Sequence, residues 1–262
     1  MKYLVIDPVI LDLGFVKIYW YGVMYLLAFL AAYFLARYRV KNNQNWNIRQ
    51  VDDLIFYGAL GAVLGGRLGY LVFYNFSIFI SNPLTFFNFQ NGGMSFHGGF
   101  IGVLLAMLFF NRKSNHSFFQ TTDFIAPLVP LGLAFGRIGN YINGELWGKI
   151  TSSPWGLYAP DQSGQWAHRY PTQLYEAFLE GFVLFVILWI FSKKDRPVMA
   201  ISSLFLIFYG TFRFIIEFIR APDSHLGYMA LEWITMGQLL SFPMILVGLY
   251  MFYKSYFLMG RL

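Results

Sequence analysis

Seven apolar runs separated by short polar stretches set the pattern of this chain. They lie at about 16–36, 51–73, 95–110, 122–142, 172–191, 198–219 and 232–253, each near the roughly 20 residues of a membrane-crossing helix. Between them, residues 75–94 are aromatic and amide-rich with no Lys or Arg, which predicts an arm at the membrane interface. Residues 143–171 form the long polar segment, with Trp147, Trp155 and Trp166, and predict a small extramembrane head. Residues 1–15 predict an irregular interfacial segment, because Asp7, Pro8 and Asp12 interrupt its apolar run and leave no usable signal peptide. The expected fold is all-α and polytopic. About seven transmembrane helices belong to a single integral membrane domain over residues 1–262.

Inside the second run, Gly61, Gly65 and Gly69 recur every four residues, the spacing of a small-residue seam between helices. The fourth run carries Pro127 and Pro130. No internal repeat, low-complexity segment or soluble domain interrupts the pattern.

A composition of 57% hydrophobic and 12% charged residues excludes an ordinary soluble domain. The net charge of +6 is informative through its placement. If the runs alternate, Arg37, Arg39, Lys41, Arg49, Arg112, Lys113, Lys193, Lys194, Arg196, Lys254 and Arg261 fall on one side. Lys2, Lys17, Lys149, Arg169 and Arg220 fall on the other. The positive-inside rule then puts the N-terminus and the head outside and the C-terminus in the cytoplasm. The charge is therefore no nucleic-acid footprint. The chain has no cysteine, so a thiol in its chemistry must come from a partner. His97, His116, His168 and His225 are widely dispersed and H-E-x-x-H is absent, so no metal site is expected.

Charged residues within spans need either a structural partner or a function. Arg67, Arg137 and Arg213 are such residues. Arg67 snorkels to the interface or serves a function. Arg137 is the second residue of GRIGNYINGELWG, residues 136–148. Read as one helix, that stretch puts Arg137, Asn140, Gly144 and Gly148 on a narrow face, offering a cation, an amide and two points of close backbone approach. The alternative is a hydrogen-bonded seam. Tyr209, Arg213, Glu217 and Arg220 form a second polar stripe, in which Glu217 neutralises the arginines or orients one towards a phosphate. Two guanidiniums near the outer leaflet suit a lipid phosphodiester. His97, flanked by Gly98 and Gly99, is either a general base or a hydrogen-bonding link between helices.

GRIGNYINGELWG resembles the signature of the bacterial prolipoprotein diacylglyceryl transferases, with Tyr141 where phenylalanine is commoner. WYGVMYLLAF, GGRLGY, GGMSFHGG, SFFQTTDFIAPLVPLG, PTQLYEAFLEG, FRFIIEF and MGQLLS resemble further blocks of that family in order, over nearly the whole chain. Tyr170 stands where the family often has histidine. The resemblance implies an enzyme of the bacterial cytoplasmic membrane. It would move the diacylglyceryl group of phosphatidylglycerol to the lipobox cysteine of a prolipoprotein, with neither metal nor cofactor. It also carries functional roles onto Tyr21, His97, Arg137, Asn140, Glu145, Gly148, Tyr209, Arg213 and Glu217. An anion transporter using the three arginines is the competing class, and inverted repeats or paired broken helices would favour it. A structural scaffold would leave the polar stripes unexplained.

Overall fold

The computed structural model describes every residue except 15–16, 42–44, 89–91, 162, 223–226 and 259–262. His225 and Arg261 thus lie outside the described residues, as do parts of the expected first span, arm and head. Helices occupy all seven expected positions: α1 Trp20–Val40, α2 Ile48–Tyr74, α4 Phe96–Lys113, the pair α5 Phe118–Ile125 and α6 Val129–Ile142, α7 Thr172–Phe191, α8 Ala200–Ile216 and α9 Met236–Phe257, with the short α3 Phe76–Ser81 in the arm. Among the described residues, α1, α2, α7 and α9 are each long and apolar enough to cross a membrane. The α5–α6 pair makes a fifth crossing if counted as one. The chain is thus an all-α, multi-pass membrane protein.

Local chemistry moves the helix boundaries. Helix α2 begins before its apolar run because Asn47 and Gln50 form a capping box. Thr235 and Gln238 do the same for α9. The fourth run is not one straight helix but two, bent by 52°. Pro127 stands in the break, and Pro130 occupies the first turn of α6, where a missing N–H does no harm. The expected irregular N-terminal segment contains the strand β1 Val9–Asp12, which pairs antiparallel with β2 Lys17–Tyr19, so the start of the expected first span is strand and its helix begins at Trp20.

The backbone packs as two compact units. In the unit of residues 33–121, the glycine seam of α2 meets one on α4. A Cβ on Gly65 would lie 2.4 Å from the Gly98 carbonyl oxygen, and one on Gly102 would lie 2.0 Å from that of Gly61. Only hydrogen fits at these positions. Arg67, two residues from Gly65 and from Gly69 on α2, is buried and does not snorkel. Its guanidinium donates to the carbonyls of Thr85, Phe86, Asn88, Gly92 and Gly93, fastening the arm to α2.

The other unit holds residues 1–32 and 122–262. Ala126, in the break between α5 and α6, forms an apolar core with Leu184 and Leu188 of α7 and Ile201 of α8. Helix α8 has no capping side chain of its own. Buried Asp123 of α5 supplies one, accepting from the N–H groups of Met199 and Ser202, each at 2.7 Å. The head is built on the hairpin β3 Leu157–Pro160 and β4 Trp166–Arg169. Residues 1–3 run along β3, with Tyr3 N–H donating to Tyr158 at 2.9 Å. Residues 149–151 run along β4, and Gly148 bridges on to Arg220.

Candidate active site

Helix α6 presents Arg137, α7 presents Glu176 and Glu180, and α8 presents Arg213, with Glu217 and Arg220 in the turn that follows. These six side chains form one ionic cluster. Arg137 Nε lies 3.0 Å from Glu176 Oε2, and its Nη2 lies 3.6 Å from Glu180 Oε2. Arg213 Nη1 donates to Glu176 Oε1 and lies 3.8 Å from Glu180 Oε1, while its Nη2 pairs with Glu217. Arg220 reaches Glu176 at 3.4 Å and Glu217 at 3.8 Å. Glu217 also accepts from the Thr235 hydroxyl at 2.6 Å. The carboxylates are essentially sealed, Glu176 at 1% and Glu180 at 0% exposure, while the arginines keep 10–19% of their side chains accessible. The arrangement places cations outermost and carboxylates behind them, an orientation suited to meeting an anion.

Helix packing fixes the cluster. Gly181 allows α6 to approach α7 so closely that a Cβ there would lie 2.5 Å from that of Ala134. Glu180 and Arg137 lie one residue and one turn from that contact. The stretch Ala177–Val183 is π-helical, a local widening often found at functional sites. Glu176 and Glu180 were missed in the sequence, although two carboxylates four apart inside the apolar run QLYEAFLEG are the signal of a buried, paired face.

The other predicted residues divide in two. Asn140 and Glu145 meet directly, Asn140 Nδ2 donating to Glu145 Oε1 at 2.7 Å. Tyr21 of α1 lays its ring on Gly139, where a Cβ would lie 2.8 Å from the ring. Tyr209 is half-buried one turn before Arg213 and stacks on Phe205. The expected helical face through residues 137–148 holds only as far as Asn140, because α6 ends at Ile142. Gly144 turns the chain with a φ of 68°. Gly148 is approached closely by the chain itself: a Cβ there would lie 2.6 Å from the Ile219 carbonyl oxygen. It therefore joins the head to the end of α8. His97 belongs to the other unit, exposed in the first turn of α4.

In the head, outside the spans, Asp161 is held below the usual carboxylate range. The Ser163 hydroxyl and the Gln165 N–H donate to it, and Arg169 pairs with it at 2.8 Å.

Comparison with known proteins bears on the chain as a whole. The family model described as prolipoprotein diacylglyceryl transferase matches residues 8–254. A phosphatidylglycerol–prolipoprotein diacylglyceryl transferase of Coxiella burnetii (strain RSA 331 / Henzerling II) is 54% identical over 252 residues, covering 96% of each chain. That of Oleidesulfovibrio alaskensis is 55% identical over 250 residues, 95% of this chain and 93% of its own. That of Pseudomonas putida (strain W619) is 51% identical over 258 residues, 98% of this chain and 96% of its own. With such identity over nearly its full length, the chain belongs to the prolipoprotein diacylglyceryl transferase family.

Proposed function

We propose that this chain transfers the diacylglyceryl group of phosphatidylglycerol to the thiol of a prolipoprotein's lipobox cysteine. The reaction is the first step of bacterial lipoprotein maturation. The observation that carries the site assignment is the convergence of Arg137 and Arg213 on one buried carboxylate, Glu176, with their outer sides accessible. Guanidiniums held in this way are preorganised for the two free oxygens of a phosphodiester.

The chemistry is a displacement at carbon. The acceptor thiol loses its proton, the thiolate attacks C3 of the diacylated glycerol, the carbon–oxygen bond to phosphate breaks, and glycerol phosphate departs. A thioether remains. The chain has no cysteine of its own to compete for the lipid. Charge accumulates on the departing phosphate, where Arg137 and Arg213 stabilise it. Glu217 orients Arg213, and Asn140, Glu145, Gly148 and Tyr209 shape the binding site. His97 is assigned as the base on its chemistry, with Tyr21 as the alternative.

The protein acts as one membrane domain in the bacterial cytoplasmic membrane, with its N-terminus and the head at 143–171 outside, the C-terminus inside, and the arm at 75–94 on the outer interface. The distribution of Lys and Arg supports this orientation. Labelling a single cysteine at Trp155 from the cytoplasmic side alone would overturn it. The activity is tested by incubating the purified protein with phosphatidylglycerol and a lipobox peptide. The peptide gains one diacylglyceryl mass on its cysteine; no gain, with a relative's enzyme active in parallel, refutes the assignment.

A further inference from the structure

Three carboxylates share the arginine cluster, and they are held differently. Glu176 faces Arg137 at 3.0 Å and hydrogen-bonds Arg213. Glu217 pairs with Arg213 and accepts from Thr235. Glu180 is fully buried, yet neither of its oxygens has a hydrogen-bond partner among the described residues. Its Oε2 lies 3.6 Å from Arg137 and its Oε1 lies 3.8 Å from Arg213. One carboxylate oxygen thus faces each guanidinium, just beyond bonding distance. Two anionic oxygens of a phosphodiester would make the same pair of approaches and close the gap.

We propose that Glu180 is a positioning residue that holds Arg137 and Arg213 apart and aimed, and competes with the phosphate of the lipid for them. The proposal rests on the reading that these two arginines bind that phosphate.

Charge counting supports it. The groups facing Glu180 are Arg137 from α6, Glu176 on its own helix, Tyr209 and Arg213 from α8, and Arg220 beyond it. Arg137, Arg213 and Arg220 are matched in number by Glu176, Glu180 and Glu217, so an arriving anion meets guanidiniums that already face carboxyl groups. Glu176 and Glu217 are fastened by short contacts, whereas Glu180 sits in a π-helical stretch with its oxygens unbonded. It is the carboxylate most easily outcompeted. Its presence also limits how tightly the anionic product is held, which favours turnover over retention.

The test compares Glu180→Gln, which keeps the shape and removes the charge, with wild type in nanodiscs of zwitterionic lipid containing graded phosphatidylglycerol. The KM for phosphatidylglycerol should fall on the order of tenfold. Inhibition by glycerol phosphate should strengthen by a similar factor, and kcat should drop as release slows. A merely structural glutamate would not tighten binding, so an unchanged or raised KM in folded Glu180→Gln overturns the proposal. Arg137→Lys is measured alongside. If it leaves KM and kcat unchanged, the arginine–phosphate reading itself fails. If it is impaired while Glu180→Gln leaves KM unmoved, only the inference about Glu180 fails. Should Glu180→Gln not fold, Glu180→Asp decides by withdrawing the carboxylate one methylene: stronger glycerol phosphate inhibition supports the proposal, and unchanged inhibition overturns it.

Discussion

Arg137 and Arg213 stand on different helices and share one carboxylate: Glu176 faces the first through Oε2 at 3.0 Å and bonds the second through Oε1. Replacing either arginine by Lys keeps the charge and removes the planar fork. The expected result is a modest rise in KM for phosphatidylglycerol and a fall in kcat of about 10²–10³, the usual loss for a contact made chiefly in the transition state. Glu217→Gln should act on the same step through Arg213, so combining it with Arg213→Lys should cost less than the sum of the two. Steady-state kinetics in detergent or nanodiscs check both statements; additive losses would separate Glu217 from Arg213.

The glycine seam gives a prediction about stability. Gly65→Ala drives a Cβ to 2.4 Å from the Gly98 carbonyl oxygen, so α2 and α4 must separate. A loss of about 1–3 kcal/mol is expected from such overpacking. Gly58→Ala, on the same helix with nothing within 4 Å, should be neutral or slightly stabilising. Thermal unfolding in detergent distinguishes them, and equal melting points would remove the seam from the account.

Arg67 has a different task from the other intramembrane arginines. Arg67→Lys cannot serve five carbonyls spread from Thr85 to Gly93, and each buried carbonyl left unpaired costs about 1–3 kcal/mol locally. Backbone exchange at residues 84–88 should rise while exchange in α8 stays the same. Unchanged exchange in the arm would show that the clasp is dispensable.

Asp161 makes the head sensitive to acid. Its folded value lies below its unfolded one, so the ionised form adds stability that is fully present above about pH 4 and is lost as pH falls through the lowered value. Wild type should therefore melt above Asp161→Asn near neutrality, and the gap should close as pH falls below about 4. A gap that persists or widens in acid contradicts the sign.

The sequence disclosed what repeats and what is costly. Apolar runs located the helices at all seven expected positions but not α3 in the arm, and the four-residue glycine spacing on α2 predicted a close contact without naming its partner, since Gly98 and Gly102 come from a distant run. Arg137 and Arg213 stood out as cations in apolar surroundings. What joins them did not stand out, because Glu176 and Glu180 lie in a block read for its helix and meet the arginines only through tertiary packing. The face through Gly144 and Gly148 failed because a helical period was carried past the real end of α6, where a positive φ turns the chain. Arg67 was ambiguous because the backbone carbonyls it bonds, from Thr85 to Gly93, leave no residue-type signal in the sequence.

Helix α8 is pinned at both ends. Asp123 grips its first turn, and the Gly148–Arg220 bridge ties the turn beyond its last residue to the head. A rod of 17 residues fastened at each tip resists sliding against α5 and the head, which sets the level of Arg213 between those two anchors. On the proposal that Arg213 binds the lipid phosphate, a lipid must bring that phosphate to the same level. Headgroups riding too high or too low would pass the site unread, which makes α8 a depth gauge.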